Sequence, residues 1–163
     1  MLIGLLSDSH GKHGAVRLAV SLFDTLGVEH IIHCGDVGGI AVFDELVGRP
    51  CTFVWGNTDI VNAGVLAYLD TVGIPAPTEL PTRIELGGKR FAVFHGHERN
   101  FDEASRRLDV DYILHGHTHL RRDDRVNGKR IINPGALYRA RRKTVATLDT
   151  AMDKLRFHEI DHR

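Results

Sequence analysis

The chain has 163 residues, of which 42% are hydrophobic, and its 21 basic residues are balanced by 21 acidic residues. This length and composition predict one globular domain over residues 1–163 that buries a core without disulfide bonds. The formal net charge of zero argues against broad electrostatic binding to nucleic acid or to anionic membranes.

The first predicted element is an apolar strand at residues 2–6, which meets Asp8 too early to be a membrane span. The same segment lacks the basic flank of a signal peptide. The chain has only two cysteines, which favours a reducing compartment over a secreted disulfide framework. We therefore expect the protein in the cytoplasm.

Strands and helices are predicted to alternate along the chain. Short runs rich in Val, Ile and Phe predict buried strands, and apolar residues at helical spacing predict helices. The predicted strands are residues 2–6, 30–34, 51–55, 83–86, 91–94, 112–114 and 130–132, and the predicted helices are residues 13–26, 40–47, 62–69 and 101–108. Gly27 is predicted to end the first helix, and Asn100 or Asp102 to cap the last. Residues 71–81, with three prolines, predict a loop.

The last two predicted strands, residues 144–148 and 155–160, alternate better between apolar and polar residues and indicate a half-exposed meander. The β-α-β-α-β order at the front predicts an α/β protein. Its first sheet is expected to be parallel or mixed, and its second sheet to form mainly from the later strands.

Five of the apolar runs end in side chains that bind metals. These side chains are Asp8 and His10, Asp36, Asn57, His95 and His97, and His115, His117 and His119. Ligands of open α/β sheets bind at the carboxyl ends of the strands, so five such endings predict a metal site there.

The types of donor atom narrow the chemistry of this site. Carboxylate oxygen, amide oxygen and imidazole nitrogen suit Mn, Fe, Zn or Ni, and the lack of thiolate donors argues against structural zinc. Two divalent ions about 3.5–4 Å apart need a bridging anion, which a carboxylate supplies. Glycines next to the polar residues leave room for metal and substrate.

Together these motifs resemble the calcineurin-like metallophosphoesterase superfamily, and in particular its small bacterial and archaeal phosphodiesterase branch. The motifs are Asp8-x-His10, Gly35-Asp36, Gly56-Asn57-x-Asp59, His95-Gly96-His97 and Gly116-His117-x-His119, and the match spans residues 3 to about 135. The resemblance implies a four-layer αββα sandwich of two mixed sheets, with the metal site at the carboxyl ends of the strands.

The resemblance also implies a role for each motif residue. Asp8, His10 and His119 would hold one metal, Asn57, His95 and His117 would hold the second, and Asp36 would bridge both. His97, next to the ligand loop, would face the substrate phosphate. Asn57, Thr58 and Arg139 are further candidates for substrate contact, the last because it follows a loop, Asn133-Pro134-Gly135, that resembles one beside the family's site.

The implied function is a binuclear hydrolase that cleaves phosphodiesters, and phosphomonoesters as a second class, by attack of a metal-bound hydroxide. Its cofactors would be two divalent ions, with manganese favoured over iron, zinc or nickel, and its partner a small phosphorylated substrate. Many family members carry His at the position of Thr58, whose hydroxyl does not titrate near neutral pH. This difference argues against phosphoprotein phosphatase activity and assigns leaving-group protonation to His97 or solvent.

Two other functions stay open at this stage. One is a metal-binding interaction scaffold like the retromer subunit, although that protein departs from the Asp-x-His motif, which is intact at His10. The other is a nuclease or cyclic-nucleotide phosphodiesterase, which no sequence feature selects. Homo-oligomers are also compatible with the sequence.

Several polar residues have an ordinary structural explanation. We expect surface or core roles for His30, His33, His115, His158 and His162, with His33 and His115 as the exceptions that could support a ligand. Asp59 is predicted as either a turn residue or an orienting group. The basic residues 121–125 and 139–143 are predicted to be solvated faces, with Arg139 as the candidate phosphate contact.

Overall fold

The computed structural model describes residues 1–161, so His162 lies outside the described residues. The elements are β1 (Leu2–Leu6), α1 (His13–Leu26), β2 (His30–His33), α2 (Ile40–Asp44), β3 (Cys51–Phe53), α3 (Ala63–Thr71), β4 (Thr82–Leu86), β5 (Lys89–Val93), α4 (Phe101–Arg107), β6 (Tyr112–Leu114), β7 (Arg122–Val126), β8 (Lys129–Asn133), β9 (Thr144–Asp149) and β10 (Lys154–Glu159). None of the helices within residues 1–161 is long and apolar enough to cross a membrane.

Two five-stranded sheets form the framework. The first has the order β10-β9-β1-β2-β3 and the second the order β4-β5-β6-β8-β7. In the first sheet β1, β2 and β3 are parallel, whereas β9 and β10 pair antiparallel. In the second sheet β5, β6 and β8 are parallel, and the edge strands β4 and β7 are antiparallel. Both sheets are therefore mixed, as predicted.

The apolar core lies in three layers. One cluster packs α1, α2 and α3 against the first sheet, with Phe23 and Phe43 fully buried in it. A second cluster lies between the sheets and contains Ile3, Ile32 and Phe91. A third lies under α4 and includes Phe94 and Ile113. The four-layer αββα sandwich is confirmed, and α1 through α3 cover one side while α4 covers the other.

Part of the predicted strand arrangement was wrong. The second sheet forms mainly from later strands, as predicted, but the last two, β9 and β10, return to the first sheet, where β9 pairs with β1. β9 is also buried along almost its whole length, not half-exposed, because strands flank it on both sides and core clusters cover both faces. The charged segment at β7 was read only as a solvated face, but it forms a mostly exposed edge strand.

A polar network joins the two sheets at one end. Asp153, in the turn between β9 and β10, accepts hydrogen bonds from the Tyr112 hydroxyl at 2.8 Å and from Arg130 Nη1 at 2.6 Å. Arg125 also pairs with Asp153, and Arg130 Nε donates to Asp123 at 2.7 Å. Burial alone would raise the pKa of Asp153, but the bonds from Arg125, Arg130 and Tyr112 outweigh it and lower the pKa to about 2.

We expect this network to make the free energy of unfolding depend on pH in the acid range. Because the folded pKa of Asp153 is below its ordinary value of 3.8, its contribution is present above about pH 4 and is lost as the pH falls toward about 2. Asp153→Asn should lower the free energy of unfolding at pH 7 by about 1 kcal/mol after solvent screening. Urea unfolding at pH 7 and near pH 2 measures this, with Asp124→Asn as the exposed control. An equal difference at both pH values would contradict the assignment.

Candidate metal centre

The loops that follow β1, β2, β3, β5 and β6 meet at one end of the sandwich. Backbone hydrogen bonds join them: Asp8 N donates to Gly35 O at 3.0 Å, and His10 N donates to Asp36 O at 2.9 Å. In the second sheet, Gly116 N donates to the carbonyl of His95 at 2.8 Å. Across the two sheets, the backbone N–H of His117 donates to Asp8 Oδ2 at 3.1 Å. The predicted ligand loops of both sheets are thereby held in one cluster.

Several of these loops hold their side chains with an unusual backbone. Five predicted ligands have positive φ angles, which residues other than glycine adopt at a cost of roughly 1–2 kcal/mol each. They are Asp8 (52°), His10 (44°), Asp36 (52°), His117 (67°) and His119 (58°). Such conformations concentrate at functional sites, where the surrounding structure fixes them.

One group of donor atoms is formed by Asp8, His10 and His119, whose candidate ligand atoms all lie within 4.8 Å of one another. His119 Nε2 is 3.3 Å from Asp8 Oδ1. Nε2 of His10 is buried and has no hydrogen-bond partner among residues 1–161. A buried imidazole nitrogen without a partner is costly unless a cation accepts its lone pair.

A second group is formed by Asp8, Asp36 and His95, again within 4.8 Å. His95 Nδ1 lies 2.8 Å from the Cys34 carbonyl, to which it can only donate, so its Nε2 lone pair is free for a ligand role. Asn57 Oδ1 is 3.1 Å from that Nε2. These atoms are an oxygen and nitrogen donor set of the kind that divalent first-row metals prefer.

Asp8 belongs to both groups, and Asp36, a member of the second, also approaches His10 of the first. Asp36 Oδ2 is 3.4 Å from His10 Nε2 and 3.4 Å from His95 Nε2. Its other oxygen, Oδ1, accepts the backbone N–H of Thr58 at 2.9 Å. Burial would raise the pKa of Asp36, but the hydrogen bond from Thr58 opposes this effect and the pKa is lowered. One oxygen is thus anchored while the other faces both imidazoles.

Asp8 is fully buried, and burial raises the pKa of its carboxyl group. Its oxygens accept the hydroxyl of Ser7 and the backbone N–H of His117, the latter at 3.1 and 3.2 Å. Two carboxylates and several imidazoles this close together need a compensating cation. The residues present therefore fit divalent metal.

The remaining predicted residues lie toward the solvent. The His117 ring is exposed, with its centroid 5.1 Å from that of His95. His97 is also exposed, and its ring centroid is 5.3 Å from that of His95 and 6.1 Å from that of His117. Thr58 Oγ1 is 3.4 Å from His10 Nδ1. These side chains form the mouth of the cluster.

The whole arrangement matches a known family. Residues 1–153 fit the model of the calcineurin-like phosphoesterase superfamily domain. The chain belongs to this superfamily. It is accordingly a metal-dependent phosphoesterase, and the resemblance noted in the sequence is confirmed.

Relatives of this phosphoesterase include small archaeal and bacterial proteins. It is 28% identical to the phosphodiesterase MJ0936 of Methanocaldococcus jannaschii, with 98% of each chain covered. It is 27% identical to the probable metallophosphoesterase YsnB of Bacillus subtilis, with 98% of this chain and 91% of YsnB covered.

Solved structures share its fold. A structure described as a novel archaeal phosphodiesterase superimposes with a TM-score of 0.87 at 27% identity, covering 98% of this chain and 99% of the other. Vps29 from Entamoeba histolytica superimposes with a TM-score of 0.67 at 20% identity, with 100% of both chains covered, a likeness of fold alone.

Sequence reasoning missed three clamps that hold the loops of this phosphoesterase. Glu98 accepts the backbone N–H groups of His95 at 2.9 Å and Gly96 at 2.7 Å. Asp59, for which two roles were open, accepts those of Gly38 and Gly56, both at 2.8 Å. Glu98 and Asp59 are carboxylates that stand within a few residues of a ligand motif, and this proximity was the signal available in the sequence.

Asn133 is the third clamp. It donates to the carbonyl of Gly116 at 2.8 Å and to Thr118 Oγ1 at 3.1 Å, and accepts the N–H of Gly135 at 2.9 Å. The weakly matching Asn-Pro-Gly loop therefore positions the loop that carries His117 and does not itself enter the donor cluster.

Two buried histidines flank the cluster as neutral groups. Burial lowers the pKa of His33 to about 3 and that of His115 to about 4. His33 Nε2 is 2.8 Å from Ser9 Oγ, which donates to the Val37 carbonyl, so the histidine is the donor in that pair. Nδ1 of His115 lies 3.1 Å from the Gly116 carbonyl. Both contact the ligand loops, so each lies where it could support a ligand.

A cationic cluster next to His10 was also missed in part. The ring of Tyr138 lies 5.2 Å from that of His10, centroid to centroid. Lys12 Nζ lies 5.1 Å from the Tyr138 centroid, and the guanidinium carbon of Arg139 lies 5.2 Å from it. Arg139 was predicted as a phosphate contact, but nothing in the sequence linked it to Lys12 or Tyr138.

Proposed function

We propose that this phosphoesterase hydrolyses phosphodiesters with two divalent metal ions, manganese being favoured. The observation that carries the proposal is the position of Asp36 Oδ2, 3.4 Å from both His10 Nε2 and His95 Nε2. An oxygen placed in this way suits a bridge between two cations. Iron, zinc and nickel accept the same donor types, so availability decides among them.

Each metal would have its own ligands from this chain. Those for the first are Asp8, His10 and His119, those for the second are Asn57, His95 and His117, and Asp36 is shared. When bound, such cations neutralise charge on the phosphoryl oxygens and lower the pKa of water toward about 7, which makes a nucleophile available at neutral pH.

The protein's own contribution is orientation. The Cys34 carbonyl fixes the tautomer of His95, and the Thr58 N–H fixes one oxygen of Asp36. Ser7 and the His117 backbone hold Asp8 in place. Because these partners are formed before substrate arrives, little reorganisation is needed during reaction.

Residues at the mouth of the site would bind the substrate phosphate. Lys12 and Arg139 are exposed cations at the Tyr138 ring, on the His10 side, where they suit the charged oxygens of a phosphoryl group. His97, exposed beside the rings of His95 and His117, is placed to donate a proton to the leaving oxygen. Thr58 lacks a group that titrates near neutral pH, which favours a diester substrate over a phosphoprotein.

An assay across substrates and metals tests the proposal. Chelator-treated protein should be inactive, manganese should restore hydrolysis of bis(p-nitrophenyl) phosphate, and kcat/KM for this diester should exceed that for p-nitrophenyl phosphate by about tenfold. Nickel and zinc serve as comparison metals. Turnover of the monoester alone would overturn the diester assignment.

His97 has a separate prediction based on the leaving group. His97→Ala should reduce kcat by about 100-fold for a diester with an alkoxide leaving group, which needs a proton, but only a few-fold for one with p-nitrophenolate. Metal content should be unchanged, because His97 is outside the proposed ligand set. An equal loss with both substrates would indicate a binding role instead of proton donation.

A scaffold function is less well supported. The Vps29 structures show likeness of fold alone, whereas this chain carries seven candidate ligands, and five of them form close groups of donor atoms: Asp8, His10, Asp36, His95 and His119. Both cysteines, Cys34 and Cys51, are free thiols, which fits the reducing cytoplasm that we propose as its location.

A further inference from the structure

A cleft of about 380 Å³ lies beside the metal centre, between α2, α3 and the loop that joins β3 to α3. Its lining is mainly apolar and comprises Ile40, Phe43, Trp55, Ile60 and Val65 together with Thr58, Asp59, Asn62 and two glycines. Small-molecule sites typically have volumes of roughly 300–1,000 Å³ and apolar walls with a few polar groups. The cleft has both properties.

Part of the apolar lining of the cleft is exposed to solvent. Ile60 is 79% exposed and Ile40 is also exposed, as is Val61, which adjoins the lining. Trp55, the only tryptophan of the chain, is half-buried and packs edge-on against Phe53 with ring centroids 4.8 Å apart. Adjoining exposed apolar groups of this kind mark binding sites in soluble proteins.

The cleft is continuous with the proposed metal site. Thr58 lines the cleft, and its hydroxyl is 3.4 Å from His10 Nδ1. The loop that carries Asn57 also carries Ile60, and Asp59 fixes this loop by accepting the N–H groups of Gly38 and Gly56. A group bound in the cleft is therefore within reach of a phosphate at the metals.

We propose that the cleft binds a planar aromatic substituent of the phosphate ester, either an aryl ring or a nucleobase. The inference rests on the proposed function, since it assigns the substrate class of that same site. An aromatic ring would gain from contact with the indole of Trp55 and with the aliphatic side chains of the cleft. Thr58, which lines the cleft beside His10, would then lie near the ester bond that joins the ring-bearing group to phosphorus.

Binding of phosphonates tests this inference, because their P–C bonds are not hydrolysed. Trp55 fluorescence of the manganese-loaded protein is titrated with methylphosphonate, phenylphosphonate and a nucleoside 5′-phosphonate. We expect at least one aromatic ligand to bind about tenfold more tightly than methylphosphonate and to change Trp55 emission. Tight binding of phenylphosphonate indicates an aryl substituent, and tight binding of the nucleoside phosphonate indicates a nucleobase.

Two variants make the test specific. Ile60→Asn removes an exposed wall of the cleft and should bring aromatic and methyl affinities to within about twofold of each other. Met152→Asn changes a comparably exposed side chain, 68% exposed, in the distant turn between β9 and β10, and should leave both affinities unchanged. Circular dichroism checks that both variants fold.

Equal affinities for all three ligands in the wild type, or an unchanged preference in Ile60→Asn, would overturn the inference. So would a wild-type dimer that Ile60→Asn converts to a monomer without altering ligand affinity, because the occupant would then be a second copy of the chain. If diester hydrolysis fails while phenylphosphonate still binds tightly, the proposed function is wrong but the cleft assignment stands. If the diester is hydrolysed but no aromatic ligand is preferred, the proposed function stands and the cleft assignment is wrong.

Discussion

Asp36→Asn should abolish phosphodiester hydrolysis, with kcat/KM for bis(p-nitrophenyl) phosphate reduced by at least about 1,000-fold. The reason is the place of the carboxylate: Oδ2 lies 3.4 Å from His10 Nε2 and from His95 Nε2. Asparagine keeps the size of the side chain but loses the negative charge that would hold two cations together. Steady-state kinetics with saturating manganese measures the loss.

The matched control for this change is Asp109→Asn. Asp109 is an exposed carboxylate that pairs with Arg90 at 2.7 Å. It precedes the amino end of β6, whereas the ligand loop follows the carboxyl end of that strand. Asp109→Asn should retain wild-type activity within about twofold, as surface substitutions away from a site generally do. If Asp36→Asn kept a tenth or more of the activity, Asp36 would not bridge the metals.

His117→Ala should also cause a large loss, of at least about 100-fold in kcat/KM. His117 is proposed as a ligand of the second metal and its ring is exposed, so its removal should leave the core intact. The expected signature is bound metal reduced from two ions to one per chain, with unchanged thermal unfolding of the metal-free protein. Elemental analysis after gel filtration counts the ions.

His158→Gln is the control for His117→Ala. His158 lies in β10, where its Nε2 is 2.9 Å from Thr147 Oγ1, and it has no part in the proposed site. Activity and metal content should match the wild type. A His117→Ala protein that still bound two ions and turned over at a normal rate would remove His117 from the ligand set.

The donor cluster could be anticipated from sequence because it depends on local patterns. Asp8, Asp36 and His95 directly follow apolar runs, and parallel strands place their carboxyl ends on one side of a sheet. Strands β1 and β6 could be identified for the same reason, since both are continuous apolar segments.

Features that depend on tertiary pairing were not visible. The return of β9 to pair with β1 joins residues far apart in the chain, and alternation in β9 gave no sign that both of its faces would be covered. β7 was not predicted because charged residues are compatible with an exposed edge strand and equally with a loop. The contacts of Tyr138 with Lys12 and His10 likewise exist only after folding.

The residues that hold the loops could be predicted only in part. Glu98 and Asp59 stand close to ligand motifs, but a carboxylate near a turn is common, and only the structure shows that each accepts two backbone N–H groups. Their side chains hold the backbone of the loops that carry His95 and Asn57.

The most direct test of a carboxylate-bridged pair is electron paramagnetic resonance of the manganese-loaded protein at known stoichiometry. Two ions per chain with the exchange-coupled spectrum of a bridged pair are expected for the wild type, and loss of that coupling is expected in Asp36→Asn. A wild-type protein that binds a single ion, or two ions with the spectrum of isolated manganese, would contradict the two-metal account.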